Sequence, residues 1–357
     1  EHFHGKEGVS GSNPLPGLQV PMKDPWGKGE VGLAETDLAI HTEAGERIAA
    51  TLTVPDGDGH EPWPAVLLCQ GLSGIRTAVL PELAGIFAGQ GLASLRFDYL
   101  GCGDSGGEPG WADPNSRSRQ AALALAWLIE REEVDPGRVG VYGHSYGGQT
   151  AISVAARDRR VSAVVAVSSP GSGSDLLRAA RPGWDWIAFR KELEEERASV
   201  AGGSEPRMIS VDELLPFSPA FLEKWRKLTA GGDGTSAMKS DSGLPRYYLL
   251  SADRMIEADP ASDAGRLGGC PLLMISGEDD DVVPVETVEP VYAAAPGPKR
   301  WIVAPESDHN SLDAGEGLKM AGEQAAIWFA NHLGVPGYPS QAGALGQAFD
   351  GTGPGSP

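Results

Sequence analysis

Residues 139–148, VGVYGHSYGG, constrain this chain more than any other stretch. They open as an apolar, β-branched and aromatic run and close on Gly143-His144-Ser145-Tyr146-Gly147. That order, G-x-S-x-G, is the pattern of a strand turning sharply into a helix with a serine at the tip, the nucleophile elbow. The serine sits in a strained backbone conformation there. Glycines two before and two after it let strand and helix pass without a Cβ clash. A solvated serine in a glycine-rich turn would carry the same letters. The buried strand before the motif and the small-residue helix predicted over residues 149–156 favour the elbow. What the Ser145 hydroxyl then lacks is a base, an acid to orient that base, donors for an oxyanion and a lid.

Strand and helix signals alternate along most of the chain. Residues 1–33 are rich in Gly, Pro and polar side chains without a period and read as an N-terminal arm. Alternating apolar and polar residues at 36–42 and 46–54, around Glu43-Ala44-Gly45, predict a β-hairpin at a sheet edge. Strands follow at 65–69, 93–98, 138–142, 161–168, 271–276 and 300–304, and helices at 80–90, 116–131, 285–295 and 319–333. This rhythm predicts an α/β fold, a mostly parallel central sheet with helices on both faces. It breaks between residues 171 and 259, which read as a mainly helical, aromatic-rich cap inserted into a core of 34–170 and 260–333. The charged run at 191–197 reads as a solvated helix face. Residues 334–357, rich in Gly, Pro and Ser, read as a flexible tail.

The chain has 357 residues and a net charge of -20, so nucleic acid and anionic membranes are poor partners. Its length suits one large domain, or one domain with an insertion. Cys69, Cys102 and Cys270 form neither a disulfide framework nor a paired metal-ligand spacing. No apolar run is long enough to span a membrane, and no signal segment opens the chain, so a cytoplasmic location is the default expectation. Neither metal nor cofactor is expected.

A serine hydroxyl is a poor nucleophile until a base takes its proton. Of the seven histidines, His2 and His4 lie in the ragged N-terminus, and His41 and His60 also precede the elbow. His144 sits on the turn itself, with its ring expected to point away from its neighbour's hydroxyl, and His332 ends the last helix. That leaves His309, in the loop Pro305-Glu306-Ser307-Asp308-His309-Asn310 after the last strand. Loops at the C-terminal ends of parallel strands are where catalytic groups gather. The base needs a carboxylate to fix its tautomer. Asp279, Asp280 and Asp281 follow the strand at 272–276, and Asp308 is a local rival that directly precedes His309.

With Gly277-Glu278-Asp279-Asp280-Asp281-Val282-Val283-Pro284 the chain resembles the α/β-hydrolase family, whose members often carry G-x-x-D-x-x-V-P at this point. The resemblance selects Asp280 and gives the order Ser145, Asp280, His309, the chain order of that fold. It implies an oxyanion hole from the N–H of Tyr146 and of Leu72. The latter lies in Gln70-Gly71-Leu72-Ser73-Gly74, similar to the family's H-G-x-x-G but with Gln70 in place of the histidine. The segment Gly101-Cys102-Gly103-Asp104-Ser105-Gly106 matches a dinucleotide-binding pattern, yet Pro109 and Pro114 follow where a helix should open. It reads instead as a structural turn.

The resulting expectation is a serine hydrolase cleaving an ester or thioester of a small molecule, partly bulky and apolar. The alternative is an acyltransferase or carboxylate-eliminating lyase with the same machinery. Peptidase activity is a lesser variant, and a non-catalytic binder on this fold is disfavoured by an intact triad.

Overall fold

The computed structural model describes residues 32–56, 62–179, 181, 183–229 and 244–335. Most of the expected arm and tail lies outside these. Leu33, placed in the arm by the sequence reading, instead opens the first strand, paired with Pro55.

The hairpin forms from β1 (Leu33–His41) and β2 (Arg47–Pro55), with Gly45 at φ 81° in its turn, a conformation that favours glycine. Then come β3 (Trp63–Cys69), α1 (Leu80–Ala88), β4 (Ala93–Phe97), α2 (Pro114–Ile129), β5 (Val134–His144), α3 (Tyr146–Arg157) and β6 (Val161–Val167). After a long intervening segment the pattern resumes with α9 (Pro260–Gly265), β9 (Leu272–Gly277), α10 (Glu289–Ala294), β10 (Lys299–Ala304) and α11 (Gly315–His332). Eight strands make one sheet in the order β1-β2-β4-β3-β5-β6-β9-β10. β1 and β2 run antiparallel to their neighbours at one edge, and the other strands are parallel.

The continuous apolar runs of the inner strands follow from burial on both faces. Val66 and Leu68 of β3 point into one core with α1 and α11, while Ala65, Leu67 and Cys69 point into the other with α2 and α3. β6 divides in the same way, with Val165 and Val167 on one side and Val164 and Ala166 on the other.

Between β6 and α9 lie α4 (Gly173–Ala179), α5 (Trp184–Ala201), α6 (Val211–Leu214), α7 (Pro219–Thr229) and α8 (Ser251–Ile256). A short antiparallel ribbon, β7 (Met208–Ser210) with β8 (Arg246–Tyr248), was not foreseen. Leu176, Leu214, Leu215 and Tyr247 of this segment join the core on the α2 and α3 face.

The segment from Asp98 to Gly107 is a turn braced by one carboxylate. Asp98 accepts from the N–H of Arg76 and of Asp104 at 2.7 and 3.0 Å and from Arg76 Nη1 at 2.7 Å. The next helix opens only at Pro114, capped by Asp113. No helix among the described residues is long and apolar enough to cross a membrane.

Candidate active site

β5 ends at His144 and α3 begins at Tyr146, with Ser145 alone between them at φ 53°, ψ -125°. That conformation strains any residue bearing a Cβ. Two glycines permit the close passage around it. A Cβ on Gly143 would lie 2.0 Å from the Gly147 carbonyl oxygen, and one on Gly147 would lie 2.1 Å from that of Cys69.

His309 Nε2 stands 2.9 Å from Ser145 Oγ. On the other side of the ring, Nδ1 faces Asp280 at 2.8 Å to Oδ2 and 3.0 Å to Oδ1. Asp280 Oδ1 also accepts the N–H groups of Val282 and Val283 at 3.0 and 2.8 Å. The structure therefore brings together the three residues singled out from the sequence. Asp280 and His309 are buried, whereas Asp279 and Asp281 are exposed. Burial acts against both charges. The neighbouring His309 and the two N–H donors nevertheless hold Asp280 below the usual carboxylate range. Burial likewise opposes a charged His309, but the Asp280 carboxylate outweighs it and holds the imidazole above its ordinary value.

The two loops that carry Asp280 and His309 run almost in contact, since a Cβ on Gly277 would meet the Ser307 carbonyl oxygen at 2.3 Å. Asp308, the rival acid, faces elsewhere. Its Oδ1 accepts from the N–H and hydroxyl of Ser311 at 2.9 and 2.7 Å, and its Oδ2 pairs with Lys224 of α7. Asn310 Nδ2 donates to the Phe221 carbonyl at 3.2 Å, and the Phe221 ring lies 6.0 Å from that of His309. The histidine loop is thus tied to the segment between β6 and α9.

Tyr146 is the first residue of α3, so its N–H has no acceptor within the helix. The loop after β3 lies against the elbow, where a Cβ on Gly71 would be 3.6 Å from Ser145 Cβ. The sequence reading offered no anchor for this loop once Gln70 replaced histidine. In the structure Arg117 of α2 supplies one: its Nη1 donates to the Gly71 carbonyl at 3.0 Å and its Nη2 to that of Leu72 at 2.8 Å. The Tyr247 hydroxyl donates to the same Leu72 carbonyl at 2.9 Å and lies 2.9 Å from Ser73 Oγ. Arg117 also stacks over Tyr99, 4.0 Å from the ring centroid. A signal for Arg117 was present, because it falls on the buried stripe of α2 with Ala121, Ala124 and Leu128, where a lone cation is out of place.

A cavity opens at Ser145. Leu72, Ile75, Leu80 and Leu83 wall it from the core, and Leu176, Leu215, Phe217, Phe221 and Trp225 from the segment between β6 and α9. His144 also lines the cavity, its ring centroid 5.3 Å from that of His309. Its Nδ1 lies 3.1 Å from Asp313 Oδ2, and burial pushes its pKa down to about 3. Asp313 was not anticipated, and nothing in its sequence surroundings marks it.

A doubly covered, mostly parallel sheet with a serine elbow at its centre gives this chain the α/β-hydrolase fold. Residues 44–188 match the family described as X-Pro dipeptidyl-peptidase (S15 family), a span that includes the elbow but neither Asp280 nor His309. An uncharacterized 31.7 kDa protein in the traX-finO intergenic region of Escherichia coli is 28% identical over 81% of this chain and 97% of its own. The thiohydrolase aneE of Aspergillus aculeatus is 25% identical over 80% of this chain and 89% of its own. The acyltransferase drtE of Aspergillus calidoustus is 26% identical, covering 70% and 80% respectively. Among solved structures, the α/β hydrolase GrgF from Penicillium sp. sh18 superposes with a TM-score of 0.68 at 20% identity, over 84% of this chain and 99% of that one. At that identity the likeness speaks to fold.

Proposed function

We propose that this protein is a serine hydrolase that cleaves a carboxylic ester or thioester of a small molecule through an acyl-enzyme. The observation that carries this reading is the 2.9 Å approach of His309 Nε2 to Ser145 Oγ while Asp280 holds Nδ1. In this scheme His309 takes the hydroxyl proton as Ser145 Oγ attacks the acyl carbon. The N–H groups of Tyr146 and Leu72 receive the developing oxyanion. His309 then returns the proton to the departing alcohol or thiol, and water, activated by the same imidazole, releases the acid. The described residues of the segment 171–259 act as a cap that keeps the cavity dry, with Leu215, Phe217 and Phe221 facing the acyl substrate. Labelling with a fluorophosphonate tests the reading. Ser145 is expected to be the modified residue, with Ser145→Ala unlabelled and at least ~10³-fold slower on a 4-nitrophenyl ester. A folded protein that leaves Ser145 unmodified contradicts it.

A second reading uses the same acyl-enzyme with an acceptor other than water, as an acyltransferase, or expels a carboxylate as a lyase. It is favoured by the apolar cavity, since exclusion of water spares the acyl-enzyme for another acceptor. Relatives named as a thiohydrolase and an acyltransferase support both readings equally. Product analysis separates them: release of free acid at the rate of acyl-enzyme decay supports hydrolysis, and its suppression by an added alcohol or thiol supports transfer.

A further inference from the structure

The cavity at Ser145 holds one carboxyl that the proposed reaction leaves unused. Asp313 closes the short 3₁₀ helix that begins with His309, and it lines the cavity. Its Oδ2 faces His144 Nδ1 at 3.1 Å, and Oδ1 accepts no hydrogen bond among the described residues. The side chain keeps 26% of its surface accessible. Ile75, Leu80, Leu83 and Tyr142 line the same cavity. Burial pushes the Asp313 pKa up to about 7, tempered by His309. His144, held neutral, stands beside one of its oxygens.

A carboxyl with an open hydrogen-bonding oxygen in an apolar cavity is costly unless the occupant satisfies it. A plain hydrocarbon chain would displace water and leave that oxygen bare. A hydroxyl both donates and accepts, so it pairs with either protonation state of Asp313. An ammonium group would pair only with the carboxylate. It would also share the cavity with the cation that His309 becomes during turnover, and the His309 ring lies 5.3 Å from that of His144.

We propose that Asp313, positioned by His144, recognises a hydroxyl on the acyl chain, so that the preferred acyl donors are hydroxylated rather than purely aliphatic. This rests on the reading of Ser145 as the nucleophile. The test uses N-acetylcysteamine thioesters of octanoic acid, unsubstituted or carrying one hydroxyl at carbon 2, 3, 6, 7 or 8. At least one hydroxylated isomer is expected to exceed the parent in kcat/KM by about 10-fold, the value of one net hydrogen bond. Asp313→Leu should collapse that ratio to near unity, and Asp313→Asn, which keeps a polar partner for both His144 and the substrate, should retain part of it. Fluorophosphonate labelling of Ser145 in each variant reports an intact site. Equal efficiency for all isomers, or a preference that survives Asp313→Leu, overturns the inference while leaving the nucleophile assignment standing. A stronger preference for the amino analogue of the best isomer also overturns it and assigns the site to cations. Failure of every thioester to acylate wild-type Ser145 removes the underlying reading as well.

Discussion

At the residue scale, the imidazole of His309 is where the electrostatics of the site are read out. Asp280 holds its pKa above the ordinary value, and the proposed base works only when neutral. Activity is therefore expected to be low at acid pH and to rise through an apparent pKa above that of a free histidine, about 6.5. Asp280→Asn removes the group that raises it, so the midpoint should move down. On the proposed mechanism the rate should fall on the order of 10⁴-fold, because the ring loses its fixed tautomer. A pH profile of kcat/KM for both proteins checks the direction. Arg117 and Tyr247 stand one contact further out, holding the carbonyls of the loop that carries the Leu72 N–H. On the proposed mechanism, Tyr247→Phe and Arg117→Lys should each lower kcat with little change in KM, because the oxyanion develops only on the way to the transition state. The ceiling is the ~2.7–4 kcal/mol lost with a whole oxyanion donor. A loss confined to KM would count against this positioning role.

At the element scale, Asp280 and His309 reach Ser145 because two strand-end loops run together with no room between them. Gly277→Ala tests this, since its Cβ would meet the Ser307 carbonyl at 2.3 Å and push the histidine loop outward. A displacement near 1 Å can cost ~100-fold, and a loss of that order is expected in kcat/KM, with a smaller effect on thermal unfolding. The inner strands were legible in the sequence because burial on both faces demands unbroken apolar runs, and Ala65 to Cys69 and Val161 to Val167 supply them. The elbow was legible because its two glycines are forced by contacts as close as 2.0 Å. The segment between β6 and α9 was legible only as a helical, aromatic insertion. Its apolar residues do not follow burial: on α5, Trp184 and Ile187 are 82% and 56% exposed, while Phe189 and Leu193 are buried. Periodicity cannot report a helix whose apolar residues divide in this way. The ribbon of β7 and β8 has three residues per strand, too few for an alternation to register.

At the scale of the whole molecule, the parts of the site that escaped the sequence are those created by distance along the chain. Arg117 meets Gly71 and Leu72 across 46 and 45 positions, and Tyr247 meets Leu72 across 175. No local pattern encodes such pairings, whereas Ser145, Asp280 and His309 each lie in a motif that follows a strand, β5, β9 and β10 in turn. Asp313 belongs to the first kind, and its enclosure has a consequence for global stability. A carboxyl whose folded pKa is raised binds its proton more tightly in the native state than in the unfolded chain. Between the unfolded value near 3.9 and the folded value of about 7, the native state therefore holds the extra proton. Stability from this group is greatest at low pH and is lost as pH rises through that window. Asp280 has the opposite sign: its lowered pKa contributes stability above the unfolded value, which is lost only as pH falls through the folded one. The net charge of -20 imposes a further pH dependence from mutual repulsion, but a matched variant cancels most of it. Asp313→Asn should accordingly gain stability relative to wild type as pH is raised from about 4 to 7, and the difference should level off above that. Urea unfolding of the two proteins at several pH values measures it. A difference that stays constant across the range would mean that Asp313 titrates as an ordinary surface carboxylate, and its enclosure in the cavity would have to be abandoned.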